Sequence, residues 1–237
     1  METIQEYRHI VTNEIQSIFT EILSKSLSKI NKNNLGFVGI IENEKGFPHD
    51  IDVLIFPSNE SKLGEVIIDI VHLYREVQKE LKKRNEKLYL AVSPRKDMQE
   101  MIYYLASLEE GSAGIIPIHS LFFPDYKSFK KFNPEGFSKA ISKNLVTIYG
   151  DFDIIKGIKP ISRKLLEPYF FIINFELPLK IDTFPRHLVR SSAQSLFDYL
   201  EQKFNLKSSR KSFHKPEDIE KELFRMLREL DKRTYKK

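Results

Sequence analysis

Cysteine is absent from this 237-residue chain. That absence excludes disulfides, thiolate zinc sites and a cysteine nucleophile together. Long apolar runs are missing too. The densest, YFFII at residues 169–173, stops at Asn174, well short of the roughly 18 residues that span a bilayer. The first residues, METIQE, are polar and acidic, where a signal peptide is basic and then apolar. A cytoplasmic protein without a membrane segment is the expectation. No repeat with a period of roughly 20–50 residues is visible. Serine-hydrolase, P-loop and dinucleotide-binding signatures are all missing.

What is present supports a folded chain. Hydrophobic residues make up 41% and charged residues 30%, a balance that builds a buried core rather than a disordered chain. The formal charge of +5 is unevenly spread. Residues 203–237 hold twelve Lys/Arg against six Asp/Glu, which leaves 26 against 27 for all the rest. The positive charge thus belongs to the C-terminal stretch. Such a stretch can seat on nucleic acid through sequence-blind electrostatics, or it can be the solvated face of a helix.

Periodicity outlines the elements. Apolar residues at helical spacing over 2–31 predict a long amphipathic helix, ending in the turn-forming NKNN at 31–34. Short strands follow at 35–41 (LGFVGII) and 51–56 (IDVLIF), separated by a loop that holds Gly46 and Pro48. A helix over 62–83 presents Val66, Ile67, Ile70, Leu73, Val77 and Leu81 on one face. Then come a strand at 88–92, a helix at 97–108, a strand at 115–119 and a strand or edge element at 145–149. Past Gly150 the pattern turns helical, with segments from 160, over 188–204, and after Pro216. The expected fold is mixed α/β (α+β): a mixed-sheet domain over 1–158, then a helical domain over 159–237 that ends in a basic helix. On this reading, removing residues 208–237 leaves the α/β domain folded.

The stretch that carries chemistry is Gly36-Phe37-Val38-Gly39-Ile40, followed after nine residues by Asp50-Ile51-Asp52-Val53. Residues i and i+2 of a strand face the same side, so Asp50 and Asp52 project together. Two carboxylates so close resist joint ionisation unless a cation lies between them. Oxygen ligands without a thiolate favour Mg²⁺ or Mn²⁺. Backbone N–H groups at a glycine turn beside such a pair can cradle phosphate oxygens.

In this arrangement the chain resembles the DNA polymerase β-like nucleotidyltransferase superfamily. Its hallmark is a Gly-rich turn after a strand, about ten residues, and then an Asp-hydrophobic-Asp-hydrophobic strand. The resemblance covers roughly residues 15–120 and includes the order of helices and strands. It implies that Asp50 and Asp52 are the catalytic, metal-binding carboxylates and that the Gly36–Gly39 turn binds nucleotide. It further implies two-metal transfer of a nucleoside monophosphate from an NTP to an acceptor: a small molecule, a protein or RNA. Two positions depart from the family pattern. Ile40 stands where a Ser or Gly follows the family's glycine, and the strand at 88–92 carries no third carboxylate. His119, closing the next strand, could stand in as a ligand.

Other residues are weaker candidates. Asp151 and Asp153 repeat the Asp-x-Asp pattern but are expected to cap an element. Arg210 and His214 lie in a basic linker, and His49 is expected to face water. Phe122, Phe123, Phe129 and Phe132 could stack a base or simply pack. Three functions follow in order: a Mg²⁺-dependent nucleotidyltransferase, a catalytically degenerate binding module on the same fold, and a nucleic-acid binder working through the basic C-terminal helix.

Overall fold

The computed structural model describes residues 13–42, 51–58, 61–84, 88–93, 114–125, 127, 143–158, 162–179, 186–209 and 215–235. The fold is mixed α/β, with helices dominating after residue 158. Among the described residues five strands form one sheet: β1 (Leu35–Ile41), β2 (Ile51–Pro57), β3 (Leu88–Ser93), β4 (Gly114–Phe122) and β5 (Leu145–Gly150), in the order β3-β4-β2-β1-β5. β1 runs antiparallel to both β2 and β5, whereas β4 is parallel to β2 and to β3. The element at 145–149 is therefore a true edge strand. The expected helix at 97–108 lies outside the described residues.

Alternation along β2 separates two sides of the sheet. Ile51, Val53 and Ile55 join the main core, while Leu54 and Phe56 join a smaller cluster with Phe37, Ile41, Leu121, Phe123 and Ile158. Every one of these strand residues is nearly inaccessible, as the alternating inward pattern requires. The smaller cluster is aromatic: Phe56 stacks on Phe123 at 5.6 Å, and Phe37 meets Phe152 edge-on at 5.3 Å. Phe152 opens a 3₁₀ turn (Phe152–Gly157).

The main core is built around α2 (Leu63–Arg84). All six residues of its expected apolar face are fully buried. Two polar contacts fix it on the sheet: Tyr74 Oη donates to Ser120 Oγ at 2.9 Å, and the Leu90 N–H donates to Gln78 Oε1 at 2.7 Å. Beside it lies α1 (Asn13–Leu27). This helix stops four residues before the expected end because the Ser28 hydroxyl bonds back to the Lys25 carbonyl at 2.7 Å, and the Lys29 N–H turns to Ser26. Glu80 on α2 holds α1 in place. Its buried carboxylate accepts from Lys29 and Lys83, each at 2.6 Å, and pairs with Lys25 at 3.1 Å. Those ammonium groups, Lys29 foremost, hold Glu80 well below the usual carboxylate range.

The described residues after 158 form α3 (Arg163–Leu179), α4 (Arg186–Phe204) and α5 (Pro216–Thr234). α5 is not an appendage. Ile219, Leu223, Met226, Leu227 and Leu230 are buried in the same core cluster as α2 and the sheet. Its last turn also finishes another helix. Asp231 Oδ1 accepts the Gly64 N–H at 2.8 Å, and Tyr235 Oη accepts the Leu63 N–H at 3.2 Å. Both are amides of the first turn of α2, which has no partner for them within the helix. Gly64 allows this approach, since a Cβ there would lie 2.6 Å from the Leu227 carbonyl and 2.7 Å from Asp231 Oδ2. Tyr169 of α3 donates to the same Asp231 Oδ1 at 2.8 Å. This burial argues against the expectation that the α/β portion stands without residues 208–237. Amphipathic periodicity shows that a helix has an apolar face, not which core it covers.

One buried carboxylate works against the fold at neutral pH. Burial, opposed by the 2.9 Å hydrogen bond from Asn34 Nδ2, pushes Asp69 up from 3.8 to about 6. A folded-state value above the unfolded one favours folding below pH 3.8, and that contribution is lost as the pH rises to about 6. Above this window the ionised carboxylate is a constant burden. Asp69→Asn is therefore expected to stabilise the protein at pH 8, by about 1–2 kcal/mol once solvent screening is allowed for, and to add little at pH 4. Urea titrations of both proteins at the two pH values check this; an equal effect at both rules out Asp69 as the source.

Candidate functional site

The candidate site lies at the end of the sheet where β1 stops and β2 begins. Asp52 is the second residue of β2, is partly exposed, and sits between the buried Ile51 and Val53. Strand alternation alone accounts for this: the apolar neighbours turn to the α2 side, and Asp52 turns to the other. Asp50 lies outside the described residues.

Register places further residues beside Asp52. Its Cα partner on β1 is Ile41, and its partner on the parallel strand β4 is His119. His119 in turn pairs with Ser93, the last residue of β3. A row of Ile41, Asp52, His119 and Ser93 thus crosses four adjacent strands. No local pattern could reveal this row, because β2 and β4 are joined by pairing over more than sixty residues of chain. The available signal was the strand-end position of His119. Among the described residues no group of three or more His, Asp or Glu side chains is gathered closely enough to hold a metal ion.

The glycines are placed differently from the expectation. Gly36 and Gly39 lie within β1, not in a turn. A Cβ on Gly36 would stand 2.4 Å from the Pro57 carbonyl oxygen, and one on Gly39 would stand 2.8 Å from the Phe37 ring and 2.9 Å from Leu145. Both positions are glycine because neighbouring chain occupies the space. β1 runs straight through to Ile41, and its backbone groups are engaged with β2 and β5. Ile40 is fully buried in the main core, which accounts for an apolar residue at this position.

The other candidates separate cleanly. Asp151 Oδ1 accepts the Asp153 N–H at 2.9 Å at the start of the 3₁₀ turn, and Asp153 pairs with Lys156 at 2.6 Å. The first is a capping contact, as expected, and the second is an ion pair between exposed side chains. Phe123 belongs to the small aromatic cluster under β2. Phe129, Phe132, His49, Arg210 and His214 lie outside the described residues. The cations of α5 are largely engaged with acids. Arg225 bonds Glu222 at 2.8 Å and the Lys207 carbonyl at 2.6 Å, Arg228 bonds Glu65 at 3.2 Å, and Arg233 bonds Glu229 at 3.4 Å. Ion pairing of this kind leaves little uncompensated charge on the helix to face a phosphate backbone.

No helix among the described residues is long and apolar enough to cross a membrane. No known protein family, curated protein or solved structure matches the chain.

Proposed function

We propose that this chain binds a nucleoside triphosphate with Mg²⁺ or Mn²⁺ at the Asp50–Asp52 end of its sheet and transfers the nucleoside monophosphate to an acceptor hydroxyl. The observation that carries this reading is Asp52 on a central strand, partly exposed at the sheet end, with His119 in register beside it. Asp50, two residues earlier, supplies the second carboxylate. His119 is the candidate third ligand, taking the place of the acid that β3 lacks. An imidazole added to two carboxylates shifts preference from Mg²⁺ toward Mn²⁺. Bound metal would supply charge neutralisation at the triphosphate and a more acidic acceptor hydroxyl. The strands contribute position: β2 holds Asp52 between two buried neighbours, which fixes its backbone against the core.

Melting curves with and without metal and each of the four NTPs test the proposal. Wild type is expected to gain about 2.7 kcal/mol at a hundredfold excess of ligand over Kd, a shift of roughly 5–10 °C for a chain of this length. Asp50→Asn/Asp52→Asn should keep or slightly raise its ligand-free melting temperature and lose the shift. Equal shifts in the two proteins would place the ligand elsewhere. A shift in wild type without pyrophosphate release favours the second reading, a binding module that has lost transfer with its third acid. No shift in wild type with any nucleotide defeats both.

A further inference from the structure

α3 and α4 bring three aromatic rings beside one ammonium group. Phe171 and Tyr199 lie 4.7 Å apart at 52°, Tyr199 and Phe204 lie 6.0 Å apart at 76°, and Phe171 and Phe204 lie 6.4 Å apart at 47°. Rings this close touch one another at an angle and present one shared surface, with Lys203 lying over it. Lys203 Nζ sits 5.3 Å from the centroids of Tyr199 and Phe204 and 5.6 Å from that of Phe171. It also donates to Tyr199 Oη at 2.7 Å and pairs with the Glu167 carboxylate. The group lies at the surface: Phe171, an aromatic ring, is 38% exposed, and the Lys203 and Glu167 side chains are 43% and 40% exposed.

Each member of the cluster suits a cation. Ring faces carry negative potential and attract an ammonium within about 6 Å of the centroid, and Glu167 adds a formal charge of the same sign. That carboxylate also argues against a nucleic-acid base platform, since it repels the phosphates that accompany the bases.

We propose that Phe171, Tyr199, Phe204 and Glu167 form an aromatic cage for an alkylammonium group, and that Lys203 occupies it in the free protein as a tethered placeholder. An incoming quaternary ammonium competes with Lys203, which swings outward on its flexible stem. Methylation strengthens the competitor, because a less hydrated cation gives up less water on meeting the rings. Two sources carry this chemistry: a free small cation such as choline, and a trimethylated lysine on another polypeptide.

Calorimetric titration of the full chain tests the cage, with tetramethylammonium as the probe and sodium chloride holding ionic strength constant. Lys203→Ala should bind it about tenfold more tightly than wild type, because the tethered competitor is gone. Adding Phe171→Ala to that variant should weaken binding by about tenfold again, and adding Glu167→Gln by a smaller factor. Retained wild-type melting of Lys203→Ala and Glu167→Gln guards against loss of fold. Choline and a trimethyllysine peptide then separate the two sources, the peptide binding at least about tenfold tighter if a polypeptide is the ligand. The proposal is overturned if Lys203→Ala binds no tetramethylammonium. It is equally overturned if the neutral isostere 3,3-dimethylbutanol binds as well as choline, or if a single-stranded oligonucleotide binds in preference to both.

Discussion

Removing residues 208–237 is expected to abolish cooperative unfolding of the whole protein. Five apolar side chains of α5 lie fully or almost fully buried in the core that α2 and the sheet share. Burying each contributes about 1.5–3 kcal/mol, so their loss removes on the order of 10 kcal/mol, as much as a typical domain has in total. The truncation also strips Asp231 and Tyr235 from the first turn of α2 and leaves the Leu63 and Gly64 amides without their side-chain acceptors. Circular dichroism and thermal melting of the truncated chain check the outcome. A sharp transition within a few degrees of wild type would show that α2 holds its place without α5. A less drastic substitution, Leu227→Ala, should cost about 2–5 kcal/mol by the same logic of a buried leucine replaced by a cavity.

The glycines of β1 give the second large effect, and they order themselves by what they touch. Gly36→Ala drives a methyl group to 2.4 Å from the Pro57 carbonyl oxygen and 2.9 Å from its carbon. Both atoms are backbone in the paired strand, so the ladder itself must move. A loss of about 2–4 kcal/mol is expected. Gly39→Ala meets the ends of two side chains, Phe37 and Leu145, which can shift, and should cost clearly less. Urea unfolding with unchanged m-values measures both. The comparison also bears on function. If Gly36→Ala kept wild-type stability yet lost a nucleotide-induced melting shift, the residue would serve phosphate and not packing.

Much of this architecture is legible in the sequence, and the reasons differ by element. β1, β2 and α2 announce themselves because their apolar spacing is local: Ile51, Val53 and Ile55 alternate, and Val66, Ile70, Leu73 and Val77 repeat at helical steps. The edge strand β5 and the capping role of Asp151 follow from equally short patterns. What escapes is pairing at a distance. Nothing near His119 in the chain indicates that it lies beside Asp52, because that neighbourhood is created when β4 adds parallel to β2. The same holds for Asp231, an acid in a basic segment whose buried place beside Gly64 depends on a helix 167 residues earlier. Gly36 and Gly39 mislead for a related reason. A glycine needed for a turn and a glycine needed for a close approach are the same letter, and only the neighbouring strand distinguishes them.

The Gly64–Asp231 contact has a consequence for how the molecule assembles. A hydrogen bond that joins residues 167 positions apart closes one of the longest loops available to the chain, and loop closure over such a span comes with a large entropic barrier. α2 can acquire its sheet-facing contacts with β3 and β4 from segments within about sixty residues of itself. Its opposite face waits for the far end of the sequence. If α5 docks late, α2 is expected to pass through a state in which the side that α5 covers is in water and its first turn is open. Until α5 docks, that side is apolar surface open to other chains, and the delay before docking is expected to set how long it stays so.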